Sequence, residues 1–141
     1  MHRIIVLLMS NLKNKSEILK ESATLLHDKY LFPAVAYCSY YGCFQLLKHI
    51  WLHKMGKSND ELDIQRRRAN EGLHDFLINQ IVGHIKSSPK VSADIRIGND
   101  IIQLKRLRST SDYEDSGVDI TASSNAIDLS DRIRKVLNGY I

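Results

Sequence analysis

The residue best suited to chemistry is Arg108, which continues the apolar register of Ile97, Ile101 and Leu104 along an amphipathic segment. That register turns the guanidinium into a bundle or a groove. Arginine cannot shed its charge, so a partly buried one needs a carboxylate or a polyanion. Asp112 lies four residues on, within helical reach. The two read either as an ion pair closing a helix end or as part of an anion-binding site, with Lys105 and Arg106 making the neighbouring faces basic. Tyr113 follows. A phenol titrates near about 10, so it is a poor proton shuttle at neutral pH, yet it can hydrogen-bond a phosphate or stack on a base.

Weaker constellations lie elsewhere. Arg68 and His74 are separated by five residues and Arg67 and His74 by six, an arginine-then-histidine spacing for which a solvated basic turn is the plainer reading. Asp75 does not help, because adjacent helical residues do not face one another. His49 and His53 share a helical face and offer two metal positions, but no third ligand is near, so a solvent-facing pair is expected. Cys38 and Cys43 read as small core residues. Tyr37, Tyr40, Tyr41, Phe44 and Trp51 have the residue types to stack nucleobases, but at helical spacing in an apolar segment they read as core. No metal site and no cofactor are expected.

Apolar residues recur at helical spacing along most of the chain and must position these groups, and no convincing two-residue alternation appears. The first helix is expected from about residue 14 or 16 to 29, with Leu19, Ala23, Leu26 and Tyr30 on its stripe, widened by Ile18 and Leu25. The second starts near Pro33, stops at Gly56 and is the most buried. Ser58 and Glu61 cap a short helix that Arg66, Arg67 and Arg68 end beside its negative dipole terminus. A third carries Leu73, Phe76, Leu77, Ile81 and Ile85 and breaks at Ser87, Ser88 and Pro89. The fourth covers roughly 92–111 and the fifth roughly 122–140, the latter on Ala122, Ala126, Leu129, Ile133, Val136 and Tyr140. The expected fold is all-α, an antiparallel bundle of four to five helices in one domain over 13–141, behind a short extension over 1–12.

With 141 residues, 43% hydrophobic and 26% charged, the chain has the composition of one globular domain that needs neither disulfides nor metal to fold. Two cysteines exclude a disulfide-rich scaffold and a four-cysteine zinc site, and no Gly-rich phosphate loop is present. A net charge of +4 permits an anionic partner without specifying one. The apolar run Ile4–Met9 is short for a signal peptide and has no small-residue cleavage site, so a cytoplasmic protein with no membrane association is expected. Met9 is an alternative start to Met1.

Arg108-Ser-Thr-Ser-Asp112-Tyr113, followed by an amphipathic helix holding Ala126 and Leu129, resembles the carboxy-terminal half of HEPN-domain proteins. The second helix agrees, since Tyr30, Ala34, Ala36, Tyr40, Tyr41 and Phe44 resemble that family's "Tyr … Ala … Tyr-Tyr … Phe" helix. The matches run from about Ser16 to Tyr140. The resemblance implies a homodimeric bundle, found in prokaryotes in toxin-antitoxin systems, as an RNA-cleaving toxin, an RNA-binding module or the partner of a small nucleotidyltransferase. Cleaving members carry the arginine, four to six intervening residues and then a histidine, which acts as acid or base on the ribose 2′-hydroxyl without any metal. Here Tyr113 stands in that place. A non-catalytic module that binds RNA, a nucleotide or a nucleotidyltransferase-type protein is therefore expected, through Arg108, Asp112, Tyr113, Lys105 and Arg106. The alternative is a metal-independent endoribonuclease, toxin or defence effector, built on Arg108 with Tyr113 or on Arg68 with His74.

Overall fold

The computed structural model describes residues 11–87, 96–113 and 117–141, with Tyr113 described in its backbone only. The apolar run Ile4–Met9, the choice of start and the expected beginning of the fourth helix near 92 lie outside the described residues. Among the described residues every regular element is helical: α1 (Asn11–Asp28), α2 (Pro33–His49), α3 (Asn59–Arg68), α4 (Leu73–Lys86), α5 (Ile97–Tyr113) and α6 (Ile120–Asn138). A π-helical turn, Ile50–Lys54, continues α2.

α2 is the hub, packing against α1, α4, α5 and α6. Pro33 supplies its fixed φ at the first turn, and Val35, Ala36, Cys38, Tyr40, Cys43, Phe44, Leu46 and Leu47 bury on several sides of the helix. Burial on several sides requires several partner helices, and burying each large apolar side chain contributes roughly 1.5–3 kcal/mol. The chain leaves the hub through the π turn, where the Met55 amide donates to Ile50 O over 2.8 Å, and Gly56 takes the left-handed φ of 65° that closes it. The Trp51 indole donates to Ser58 O at 2.9 Å, tying this exit to the next helix.

α3 starts in the expected capping box: the Glu61 amide donates to Ser58 Oγ at 3.0 Å and the Ser58 amide donates to Glu61 Oε1 at 3.3 Å. α6 starts on Asp119, whose carboxylate accepts from the Ala122 amide at 2.8 Å. On α5, Ile97, Ile101 and Leu104 are all buried, as their register requires.

Several sequence expectations shift. Among the described residues six helices stand where four to five are expected, because the short α3 is a full element. α1 begins at Asn11, inside the stretch read as an extension, and ends at Asp28. Tyr30 is not on its stripe: it holds φ of 60° in the turn and is 75% exposed. Ile18 and Leu25 also face out, since α1 is covered on one side only. Tyr37, 47% exposed, lies on the open side of α2.

Candidate anion-binding site

Arg108 sits where its register sends it, at the junction of α5 and α2, with its side chain 13% exposed. The guanidinium carbon lies 5.3 Å from the ring centroid of Tyr41 and 5.6 Å from that of Tyr40. These two rings meet edge to face at 5.2 Å, forming an aromatic corner that attracts the cation electrostatically, worth about 1 kcal/mol. Asp112 is nearby, but its Oδ2 is 3.5 Å from Nε, too long for a good hydrogen bond, and the buried Nε has no hydrogen-bond partner among the described residues. The expected ion pair exists, and it is loose.

The structure brings His74 to the same corner. It projects from the first turn of α4, and its ring stacks on Phe44 at 4.1 Å and 13°. Nδ1 lies 2.7 Å from the Tyr40 hydroxyl. Burial, reinforced by Tyr41, pushes the Tyr40 phenol well above its ordinary value, so it keeps its proton. Assigning that phenol as the donor to Nδ1 places the imidazole proton on Nε2. Burial, then Lys105 and Arg108, lowers the pKa of His74, so the ring is neutral near pH 7. An oriented neutral imidazole thus stands beside a cation on an aromatic shelf.

Lys105 reaches across from α5 to pair with Asp75 of α4 at the edge of this shelf. Asp75, Lys105, Arg106 and Ser109 border an adjoining cleft of about 620 Å³. Of the residues the sequence singles out, Arg108, Asp112, Lys105 and His74 therefore meet in one region, with Arg106 on its rim. The Tyr113 side chain lies outside the described residues. Arg68, exposed at the end of α3, is not among the charged groups around His74, which are Lys105, Arg108, Asp75 and Lys48. Tyr40 and Phe44 are buried as expected; that they also hold His74 is a tertiary fact with no local sequence signal.

A second buried guanidinium, Arg134 of α6, escaped the sequence reading. It is 3% exposed and donates to the Ser16 carbonyl, while Glu17 approaches its Nη1 at 3.6 Å. A Cβ on Gly42 would fall 2.6 Å from its Nη2, so the glycine makes room for it. The small buried residues Ser16, Gly42, Ser123 and Ser130 were the available signal, since they mark where helices come close enough to enclose a long side chain.

His49 and His53 are not both solvent-facing. Their rings lie 4.8 Å apart, but His49 is 6% exposed, and burial followed by His53, Lys13 and Lys54 lowers its pKa to about 4. Among the described residues no group of three or more His, Cys, Asp or Glu is placed to hold a metal ion. Cys38 and Cys43 are free and buried, and burial pushes the Cys43 thiol up to about 11, which keeps it protonated and unreactive. Among the described residues no helix is long and apolar enough to cross a membrane. The chain matches no family model, no curated protein and no solved structure.

Proposed function

We propose that this chain is a HEPN-like, non-catalytic binding module that holds RNA or a nucleotide at the Arg108 corner. In this reading it acts in the cytoplasm as a homodimer, alone or with a nucleotidyltransferase-type partner. The observation that carries it is Arg108 itself, a cation resting on two tyrosine rings with one carboxylate only loosely engaged. A phosphate oxygen would complete the hydrogen bonding that Asp112 leaves unfinished, and guanidinium geometry suits that exchange. Tyr41, half-buried at the edge of the shelf, offers a face for a base.

One observation favours the second reading, a metal-independent endoribonuclease. His74, neutral and held by Tyr40, supplies beside Arg108 the imidazole missing from position 113. Attack of a ribose 2′-hydroxyl on phosphorus releases the 5′-oxygen and leaves a cyclic phosphate. His74 would exchange the proton, and Arg108 would stabilise the charge gathering on the phosphoryl oxygens.

The test is incubation of total RNA and of labelled oligoribonucleotides with purified protein in EDTA, beside Arg108→Ala and His74→Ala. Binding lost in Arg108→Ala with no cleavage by any form supports the module. Cleavage abolished by His74→Ala establishes the nuclease instead. A folded wild type that neither binds nor cleaves sinks both.

A further inference from the structure

The face of α5 turned away from the Arg108 corner carries a second basic feature. Between α5 and α6 a cleft of about 790 Å³ is lined by Arg96, Gln103, Arg132, Lys135 and Tyr140. A further cleft of about 460 Å³ continues it past Arg106, Thr110 and Asn125, with Gln103 and Arg132 shared by both. The shared residues make the two clefts one groove. From Arg96 to Thr110, at 1.5 Å per residue, it follows α5 for about 21 Å.

Four cations line this groove against two carboxylates, Asp100 and Asp128. Asp100 is already engaged: Arg132 grips it with both Nη2 and Nε, at 2.9 and 3.3 Å. That pair fixes the direction of a guanidinium whose side chain is still mostly exposed. Among the described residues, Arg96, Arg106 and Lys135 have no carboxylate within ion-pair distance. Uncompensated positive charge is therefore spread along the groove instead of being gathered at one point. Gln103, Asn125 and Thr110 add neutral hydrogen-bonding groups between the charges. Tyr140 supplies the groove's aromatic ring, at one end.

We infer that this groove is a track for the sugar-phosphate backbone of single-stranded RNA, leading to the Arg108 corner; the inference rests on the RNA reading proposed above. Charge distributed over this length suits a chain of phosphates better than one small anion. A single aromatic at one end suits unstacked bases and gives little sequence preference. The path is continuous, because Arg106 borders both this groove and the cleft of Lys105 and Asp75 beside His74. A strand entering near Lys135 passes Arg132 and Arg106 before it reaches the shelf.

The test measures binding of a fluorescent oligouridylate of about 12 nucleotides against salt concentration. The full chain is compared with the double variant Arg96→Gln/Lys135→Gln, with Arg106→Gln, and with Lys20→Gln/Lys29→Gln as a control for net charge. The groove double variant should bind about tenfold more weakly near 50 mM salt, with a salt slope shallower by about one to one and a half. UMP, which fits the Arg108 corner alone, should bind that variant as it binds the wild type. Unchanged oligonucleotide affinity in the groove variants, or an equal loss in the control, overturns the track. Equal competition by polyglutamate overturns it too, in favour of an acidic protein partner. Weakening in the groove variants with none in Arg108→Ala keeps the track and removes the Arg108 reading.

Discussion

Two arginines, each partly or fully withdrawn from water, sit on opposite sides of α2 and have been given different surroundings. Arg134 is enclosed where α1, α2 and α6 meet; one nitrogen bonds a backbone carbonyl and the glycine opposite makes space for it. Arg108 lies across tyrosine rings near the surface, beside a titratable imidazole and a second cation. The first arrangement sets one nitrogen on the chain's own backbone and closes Nε and Nη1 away from any hydrogen-bond partner among the described residues. The second leaves Nε unpartnered beside a loosely placed carboxylate. Burial of an arginine therefore says little by itself about whether the residue holds a fold or holds a ligand. What separates the two is the chemistry of the neighbours and whether they are rigid backbone or exchangeable side chains.

The sharpest way to break this contrast is to truncate both. Arg134→Ala should lower the unfolding free energy by about 3 kcal/mol, because it removes the side chain's bond to the Ser16 carbonyl and opens a cavity where three helices meet. Arg108→Ala should cost less than about 1 kcal/mol while abolishing ligand binding. Urea melts of the two variants decide it, and equal losses would make Arg108 a structural residue. Gly42→Ala pushes a methyl group against Arg134 and should destabilise by about 2 kcal/mol, with oligonucleotide affinity unchanged. Tyr40→Phe removes the partner of His74 and should cost about 1 kcal/mol. In contrast to Gly42→Ala, it should alter the titration of His74 followed by NMR.

The smallest effect concerns pH. His74 protonates less readily in the folded chain than its ordinary value of 6.5. As pH falls through that value the unfolded chain takes up the proton first, so stability declines towards acid and is level above neutrality. His49 acts in the same direction down to about pH 4. Replacing His74 by Gln should therefore flatten the upper part of the decline, and a profile identical to wild type would show that His74 is not held neutral by the fold.

Much of this architecture can be read in the sequence, because its signals are local. Pro33, Gly56 and the Ser58–Glu61 box mark boundaries by backbone chemistry alone, and the register of Ile97, Ile101 and Leu104 does place Arg108 inward. The companionship of Arg108 and His74 is not legible, since it depends on how α4 and α5 both dock on α2. In sequence His74 stands beside Arg67 and Arg68, and it is Tyr40, a residue read as core, that joins it to Arg108. Arg134 was missed for a different reason. The buried face of α6 runs through Ser123, Ser130 and Arg134, and hydrophobicity gives such residues no weight.

The π turn at Ile50–Lys54 has a consequence for length. A turn closed from residue i to i+5 stores one residue more than an α-helical turn, so the end of α2 carries slack in its chain. A single-residue deletion there can be absorbed by rewinding to ordinary helix, leaving the anchors on either side, Leu47 and Leu62, in their places. The same deletion inside α5 would turn every following side chain by about 100° and carry Arg108 off its shelf. Tolerance to a change of length is thus concentrated at one end of the hub, and the helix that bears the arginine has none.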